Sequence, residues 1–264
     1  MSAVIPLPTR RPPIGNRLDD YLQRLECIAP EAARPLSFRA RLLGRRRHPL
    51  LWPATAARAI PAEIEALIAR LPTGGWRICG ETAHALAALF KVIRPRRVLE
   101  FGSGCSTVLL AALCAHAGGG RRVVSLDERP AYMARTQKLL DGFGLGQHVT
   151  TLVAPVTDSI FGGWAGRTYR PDRDTLRLAL AGERADFIFV DGPANWLGRR
   201  GDCRFGTLPL ASAFVADEAL FVADDALRPR DLTIVLRWRS LPYIEVRGIL
   251  PVGRGLAVGI LRGR

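Results

Sequence analysis

Lysine is nearly missing from this chain: only Lys91 and Lys138 occur in 264 residues, although Lys and Arg together number 38 against 24 Asp and Glu. The formal charge of +14 is therefore carried by arginine, in a chain also rich in Ala, Gly, Leu and Pro. A bias of that kind points to a dispersed basic surface more than to a phosphate-binding groove, which needs its cations clustered. Cysteine is scarce too. Cys27, Cys79, Cys105, Cys114 and Cys203 lie far apart, are odd in number and form no CxxC pair. With only four histidines, this argues against a zinc site, and reduced, mostly buried thiols are expected. No run of about 18 uncharged apolar residues is present, so no membrane span is expected. The opening MSAVIPLPTRRPPIG has no apolar stretch ahead of a small-residue cleavage site, and a cytoplasmic protein is expected.

What is present is a hydrophobic content of 48%, enough for a sizeable core. Residues 1–60, rich in Pro and Arg and containing Arg45-Arg46-Arg47, read as an arm or small cap with one helix near 17–28. Residues 61–264 read as the main domain. PAEIEALIARLP starts a helix on Pro61, puts Ile64, Leu67 and Ile68 on one face and stops before Pro72, and GETAHALAALFKVIRP gives a second helix. Strands and helices then alternate. RVLEF, RVVSLD, HVTTLVA, ADFIFVDGP, ALFVADDAL, YIEVRGIL and GLAVGILRG read as strands. CSTVLLAALCAHA, ending in three glycines, PAYMARTQKLLDGFG, a stretch near 174–182 and LTIVLRWRS read as helices, and 155–175 as a polar, aromatic-bearing connection. Strands joined by helical crossovers imply an α/β fold: a mostly parallel sheet with helices on both faces.

Ligands of such sheets bind beyond the carboxyl ends of the strands, near the switch in strand order. The strand ends here carry Glu100 to Gly104, Asp127, Ala154, Asp191 to Pro193 and Asp224-Asp225, so four of the five sets contain carboxylates. In the first turn, EFGSG, Gly102 and Gly104 are in place, but position 107 is Thr where a nicotinamide-binding GxGxxG needs a third glycine. No GxxxxGK phosphate loop occurs either. A carboxylate at Glu100 would repel phosphate and suits a cationic ligand, while glycines at 102 and 104 let backbone approach it. Asp127, at the end of the next strand, can accept hydrogen bonds from ribose hydroxyls. A nucleoside with a cationic amino-acid tail answers that description, and S-adenosylmethionine is such a molecule.

LEFGSGCST, followed by VVSLDERP and DFIFVDGP, resembles the class I S-adenosylmethionine-dependent methyltransferases over residues 78–262. The resemblance implies a Rossmann-like, seven-stranded sheet with its last strand antiparallel. It places Glu100, Gly102, Ser103, Gly104 and Ser106 in the first cofactor motif, Asp127 on the ribose, and Asp191 beside both cofactor and methyl acceptor. Ser106 stands where the family pattern has a third glycine, and a Ser there can cap the following helix. The acids at 191, 224 and 225 would repel one another, by about 4 kcal/mol for two charges about 4 Å apart at an effective dielectric near 20. Asp191, Asp224 and Asp225 match the metal ligands of cation-dependent O-methyltransferases, which implies Mg²⁺ holding the acceptor's hydroxyls.

The lysine that often follows the first of those acids is missing, so Asp191 itself becomes the candidate catalytic base. Two other roles stay open for Asp224 and Asp225: capping the next helix, or pairing with Arg228 and Arg230. Trp164, Tyr169 and Trp196 are candidates for an apolar acceptor wall or for loop anchors. The expected activity is O-methylation of a small molecule or sugar. Rival readings are a nucleic-acid (RNA) methyltransferase and a non-catalytic Rossmann-like binding module.

Overall fold

The computed structural model describes residues 12–23, 25, 60–72, 78–161, 163–197 and 202–264; Cys27 and Arg45-Arg46-Arg47 lie outside them. Helices α1 (Ile14–Leu22), α2 (Ala62–Arg70) and α3 (Gly80–Ile93) precede strand β1 (Arg97–Phe101). Then come α4 (Cys105–Ala117), β2 (Arg122–Asp127), α5 (Pro130–Gly142) and β3 (Val149–Val153). A hairpin of β4 (Val156–Phe161) and β5 (Trp164–Tyr169) leads to α6 (Arg173–Ala179) and β6 (Ala185–Val190). The chain closes with α7 (Thr207–Ala211), β7 (Val215–Ala223), α8 (Pro229–Trp238), β8 (Ile244–Leu250) and β9 (Leu256–Arg262). No helix among the described residues is long and apolar enough to cross a membrane.

Seven strands form one sheet in the order β3-β2-β1-β6-β7-β9-β8. β9 pairs antiparallel with both its neighbours, and the other pairings are parallel. The expected sheet is thus the observed one. β1 is buried along its whole length and β6 at every position but Asp186, which is why FIFV reads as a continuous apolar run and not as an alternation. Side chains alternate between two cores all the same. Val98, Phe187 and Phe189 face α3 and α4, while Leu99, Phe101, Ile188 and Val190 face Trp164, Leu208 and Trp238.

Two segments depart from the sequence reading. The stretch 155–161 with 164–169 is an antiparallel hairpin with Val156 opposite Tyr169 and Phe161 opposite Trp164. VTDSIF carries a weak apolar period, and Ile160 is 78% exposed, so no half-buried face was visible in the sequence. The helix expected near 17–28 begins at Ile14, directly after Pro12-Pro13, whose fixed φ suits a helix start. It lies on the main domain. Ile14 and Leu18 are buried in the core, the Gly15 amide donates to Glu218 Oε2 at 3.2 Å, and the Arg17 guanidinium donates to the Ile93 carbonyl.

Leu18 is fully buried, so Leu18→Ala is expected to lower unfolding free energy by about 2–5 kcal/mol. Leu178→Ala, at a site 79% exposed, should leave it near the wild-type value. Urea unfolding midpoints of the two variants check the pair.

Candidate active site at the carboxyl edge of the sheet

β1 and β6 meet at the switch in strand order, and their two turns touch backbone to backbone. The amides of Asp191 and Gly192 both donate to the Phe101 carbonyl, at 2.8 and 2.6 Å. A Cβ at Gly102, which has φ +99°, would stand 2.7 Å from the Gly192 nitrogen, so only glycine allows this approach. Gly192 is equally confined: a Cβ there would lie 2.5 Å from the Tyr169 hydroxyl. The seam brings Asp191 beside Gly102 and Ser103.

Asp127 closes the second side. Its Oδ2 accepts from both the amide (2.9 Å) and hydroxyl (2.8 Å) of Ser103, and its Oδ1 accepts from the Arg129 amide at 2.8 Å. Gly102, Ser103, Asp127 and Asp191 therefore line one cleft, joined by Tyr132 and Tyr169. Its volume is about 120 Å³. A Cβ at Gly104 would meet nothing within 4 Å, so the turn borders open space there. A wider hollow of about 1470 Å³ runs along the β4–β5 hairpin, but it includes none of Gly102, Ser103, Asp127 or Asp191. The assembled chemistry belongs to the smaller cleft.

Glu100 lies beneath the turn and not in the cleft. It is wholly buried, because its position in β1 points into the first turn of α4. Thr107 Oγ1 donates to Glu100 Oε2 at 2.6 Å and itself accepts from the Gly104 amide at 2.9 Å. Thr107, and not Ser106, thus satisfies the helix start; Ser106 is buried beside the Glu100 carboxyl. Glu100 Oε1 has no hydrogen-bond partner, and burial pushes the acid up to about 7 against the pull of the Ser106, Thr107 and Ser125 hydroxyls.

The far wall carries the acids after β6 and β7. Between them stands Arg204, 5% exposed, from the turn Cys203–Gly206 ahead of α7. Its Nη2 donates to the Asp191 carbonyl and to Asp191 Oδ1 at 3.2 Å. Its Nη1 reaches the Asp224 carbonyl (3.3 Å), Asp225 Oδ2 (3.4 Å) and Asp231 Oδ1 (3.3 Å). Asp225 also takes Arg228 Nη1 at 2.7 Å and Arg254 Nε at 2.8 Å, so the partner expected in Arg230 is Arg254. Asp191, its side chain 24% exposed at the cleft, is held well above the usual carboxylate range by burial, opposed by Arg204 and reinforced by Asp224 and Asp225. Burial, with Asp225 next, pushes Asp224 up to about 6.

The expected Mg²⁺ at Asp191, Asp224 and Asp225 does not fit this arrangement. The Arg204 guanidinium already binds the Asp191 and Asp225 carboxylates, and the Asp224 carboxylate accepts from the Asp225 amide at 2.8 Å. A dication about 4 Å from that guanidinium would be repelled by about 8 kcal/mol at an effective dielectric near 20. Among the described residues no group of three or more His, Cys, Asp or Glu could hold a metal ion. Arg204 carries no motif and lies 20 residues before Asp224, in the β6–β7 connection, so nothing in the sequence announced it. Arg254 was hidden for the same reason, whereas the pairing expected of Arg228 is present.

Of the aromatic candidates, Tyr169 enters the cleft. Its hydroxyl donates to Glu128 Oε2 at 2.8 Å, and burial raises its pKa. Its ring stacks on Phe101 at 5.9 Å. Trp164 is a loop anchor: it is 3% exposed, donates to Asp202 Oδ2 at 2.8 Å and packs on Phe205. The Trp196 side chain lies outside the described residues.

No protein-family profile matches the chain, and no curated protein matches it. Solved structures do. A methyltransferase from Geobacter sulfurreducens is 21% identical, with 76% of this chain and 97% of that one covered at a TM-score of 0.51. The cofactor-bound protein Rv0187 from MTB is 24% identical, covering 79% and 90% at 0.53. An O-methyltransferase from Bacillus cereus, in complex with SAH, is 14% identical, covering 88% and 100% at 0.51. At these identities the likeness is one of fold: the chain has the Rossmann-like architecture of the solved methyltransferases.

Proposed function

We propose that the chain is a methyltransferase that uses S-adenosylmethionine and transfers the methyl to an oxygen of a small-molecule acceptor. One observation carries the proposal: the glycine turn at Gly102, the Ser103-anchored carboxylate of Asp127 and the acid Asp191 border one cleft at the strand-order switch. The fold is shared with solved methyltransferases, of which the Bacillus cereus O-methyltransferase was solved with SAH.

The residues fit the cofactor. Asp127 is fixed by three donors, leaving lone pairs for two ribose hydroxyls, and the Gly104 edge leaves room for backbone approach. Beneath the turn, the unpartnered Glu100 Oε1 supplies negative potential suited to an ammonium group. When bound, S-adenosylmethionine supplies a methyl group already activated on a sulfonium. The protein must align the acceptor and take up its proton. Asp191 does both in this proposal: Arg204 fixes one carboxylate oxygen, and the carboxylate at the cleft accepts the proton that the acceptor hydroxyl loses.

Asp127→Ala is expected to weaken S-adenosylmethionine binding by about tenfold to a hundredfold, as the loss of charged hydrogen bonds at about 1.5–3 kcal/mol requires. Asp191→Asn should bind it normally and lose about 10²–10⁴-fold in turnover. Calorimetry and methyl-transfer assays check the two separately. A wild-type protein that gives no heat with the cofactor is a binding module of another kind.

Glu100 gives a second test, in the ligand-free protein. Its folded pKa of about 7 exceeds the unfolded value of 4.5, so its contribution to stability is complete below about 4.5 and is lost as pH rises to about 7. Glu100→Gln removes that titration. Its Tm should gain on the wild type steadily between about pH 5 and 8, and a constant difference across that span would refute the assignment.

A further inference from the structure

We infer that Arg204 takes the part that a divalent cation would play at the acceptor side, making the reaction independent of metal and leaving Asp191 positioned by a guanidinium. The inference rests on the methyl-transfer proposal above. It is argued from the convergence of four acids from three segments on one buried side chain. Asp191 follows β6, Asp224 and Asp225 follow β7, and Asp231 stands in the first turn of α8. Nη1 and Nη2 of Arg204 reach all four residues, three through a carboxylate oxygen and Asp224 through its carbonyl. Asn195 Nδ2 donates to Asp231 Oδ1 at 2.8 Å and fixes the acid farthest from the cleft.

Such a centre differs from a metal ion in what it offers an acceptor. A cation with open positions chelates a hydroxyl pair. The two Arg204 Nη groups are spent on protein oxygens, so no pair can be chelated. The acceptor then needs one hydroxyl within reach of Asp191 and no vicinal partner. Arg204 is a positioning residue here: it holds the backbone carbonyl and one carboxylate oxygen of Asp191 together, which fixes the direction of the other oxygen.

The test uses the full-length protein, stripped with EDTA and then titrated with Mg²⁺ and with Mn²⁺. Wild-type Tm and turnover should respond to neither ion, and Mn²⁺ should keep the electron paramagnetic resonance signal of the free ion. Cation-dependent turnover or Mn²⁺ bound by the wild type would overturn the inference. Arg204→Gln vacates the acids, and Mg²⁺ should now raise its Tm by several degrees. Arg204→Lys keeps the charge and loses the fork. It should bind S-adenosylmethionine as the wild type does while kcat falls by about a hundredfold, acceptor KM changing little. Wild-type kcat in Arg204→Lys would remove the positioning role, even if Arg204→Gln fails to fold. Because cation binding is read without turnover, a protein lacking methyl transfer would defeat the earlier proposal and leave this result standing.

Discussion

Two amide hydrogens, those of Asp191 and Gly192, converge on the carbonyl oxygen of Phe101, and the rest of the site is arranged around that contact. It is possible only because residues 102 and 192 lack side chains. The contact sets the distance between the glycine turn and the acid after β6. It also leaves the Phe101 ring free to stack on Tyr169, which ties the hairpin to the same seam. A cleft made of two strand ends is as rigid as the sheet that bears them.

Around this seam the electrostatics is organised in two unlike ways. Asp127 is held by neutral donors, Ser103 and the Arg129 amide. The opposite acids are held by guanidinium groups, which satisfy charge at the cost of desolvation. A buried cluster of this kind adds little net stability relative to an apolar replacement, yet losing one member costs about 3–5 kcal/mol because the others are left uncompensated. Its effect is to hold loops from β6, β7 and α8 in one arrangement.

Most of the fold was legible in the sequence. The apolar runs at 97–101 and 185–190, and the proline and glycine punctuation at Pro130 and Gly118, carry strand and helix information locally. The hairpin was not legible, because its apolar residues are too few to mark a face. On the glycine-turn side, Gly102, Ser103 and Asp127 come from strand ends that the pattern fixes. On the acid side the sequence supplied three like charges and one of the groups that balance them, Arg228. Arg204 and Arg254 sit in connections whose path depends on tertiary packing, and a chain with 38 basic residues offers no way to single them out. Glu100 illustrates a subtler limit. Its place in the motif was visible, but whether its carboxyl faces ligand or helix depends on one Thr hydroxyl three positions past Gly104.

The β4–β5 hairpin has a further consequence. Both its ends are committed: Tyr169 is pinned to Glu128 and Phe101 at the stem, and at the turn the Trp164 indole fills the space that Gly166 leaves. Its outer strand presents Ile160 to solvent and borders the wide hollow. Anchorage and exposure thus alternate along one ribbon, so the side chain at Ile160 is free to drift in descendants or in grafted chimeras while Tyr169 and Trp164 keep their hold.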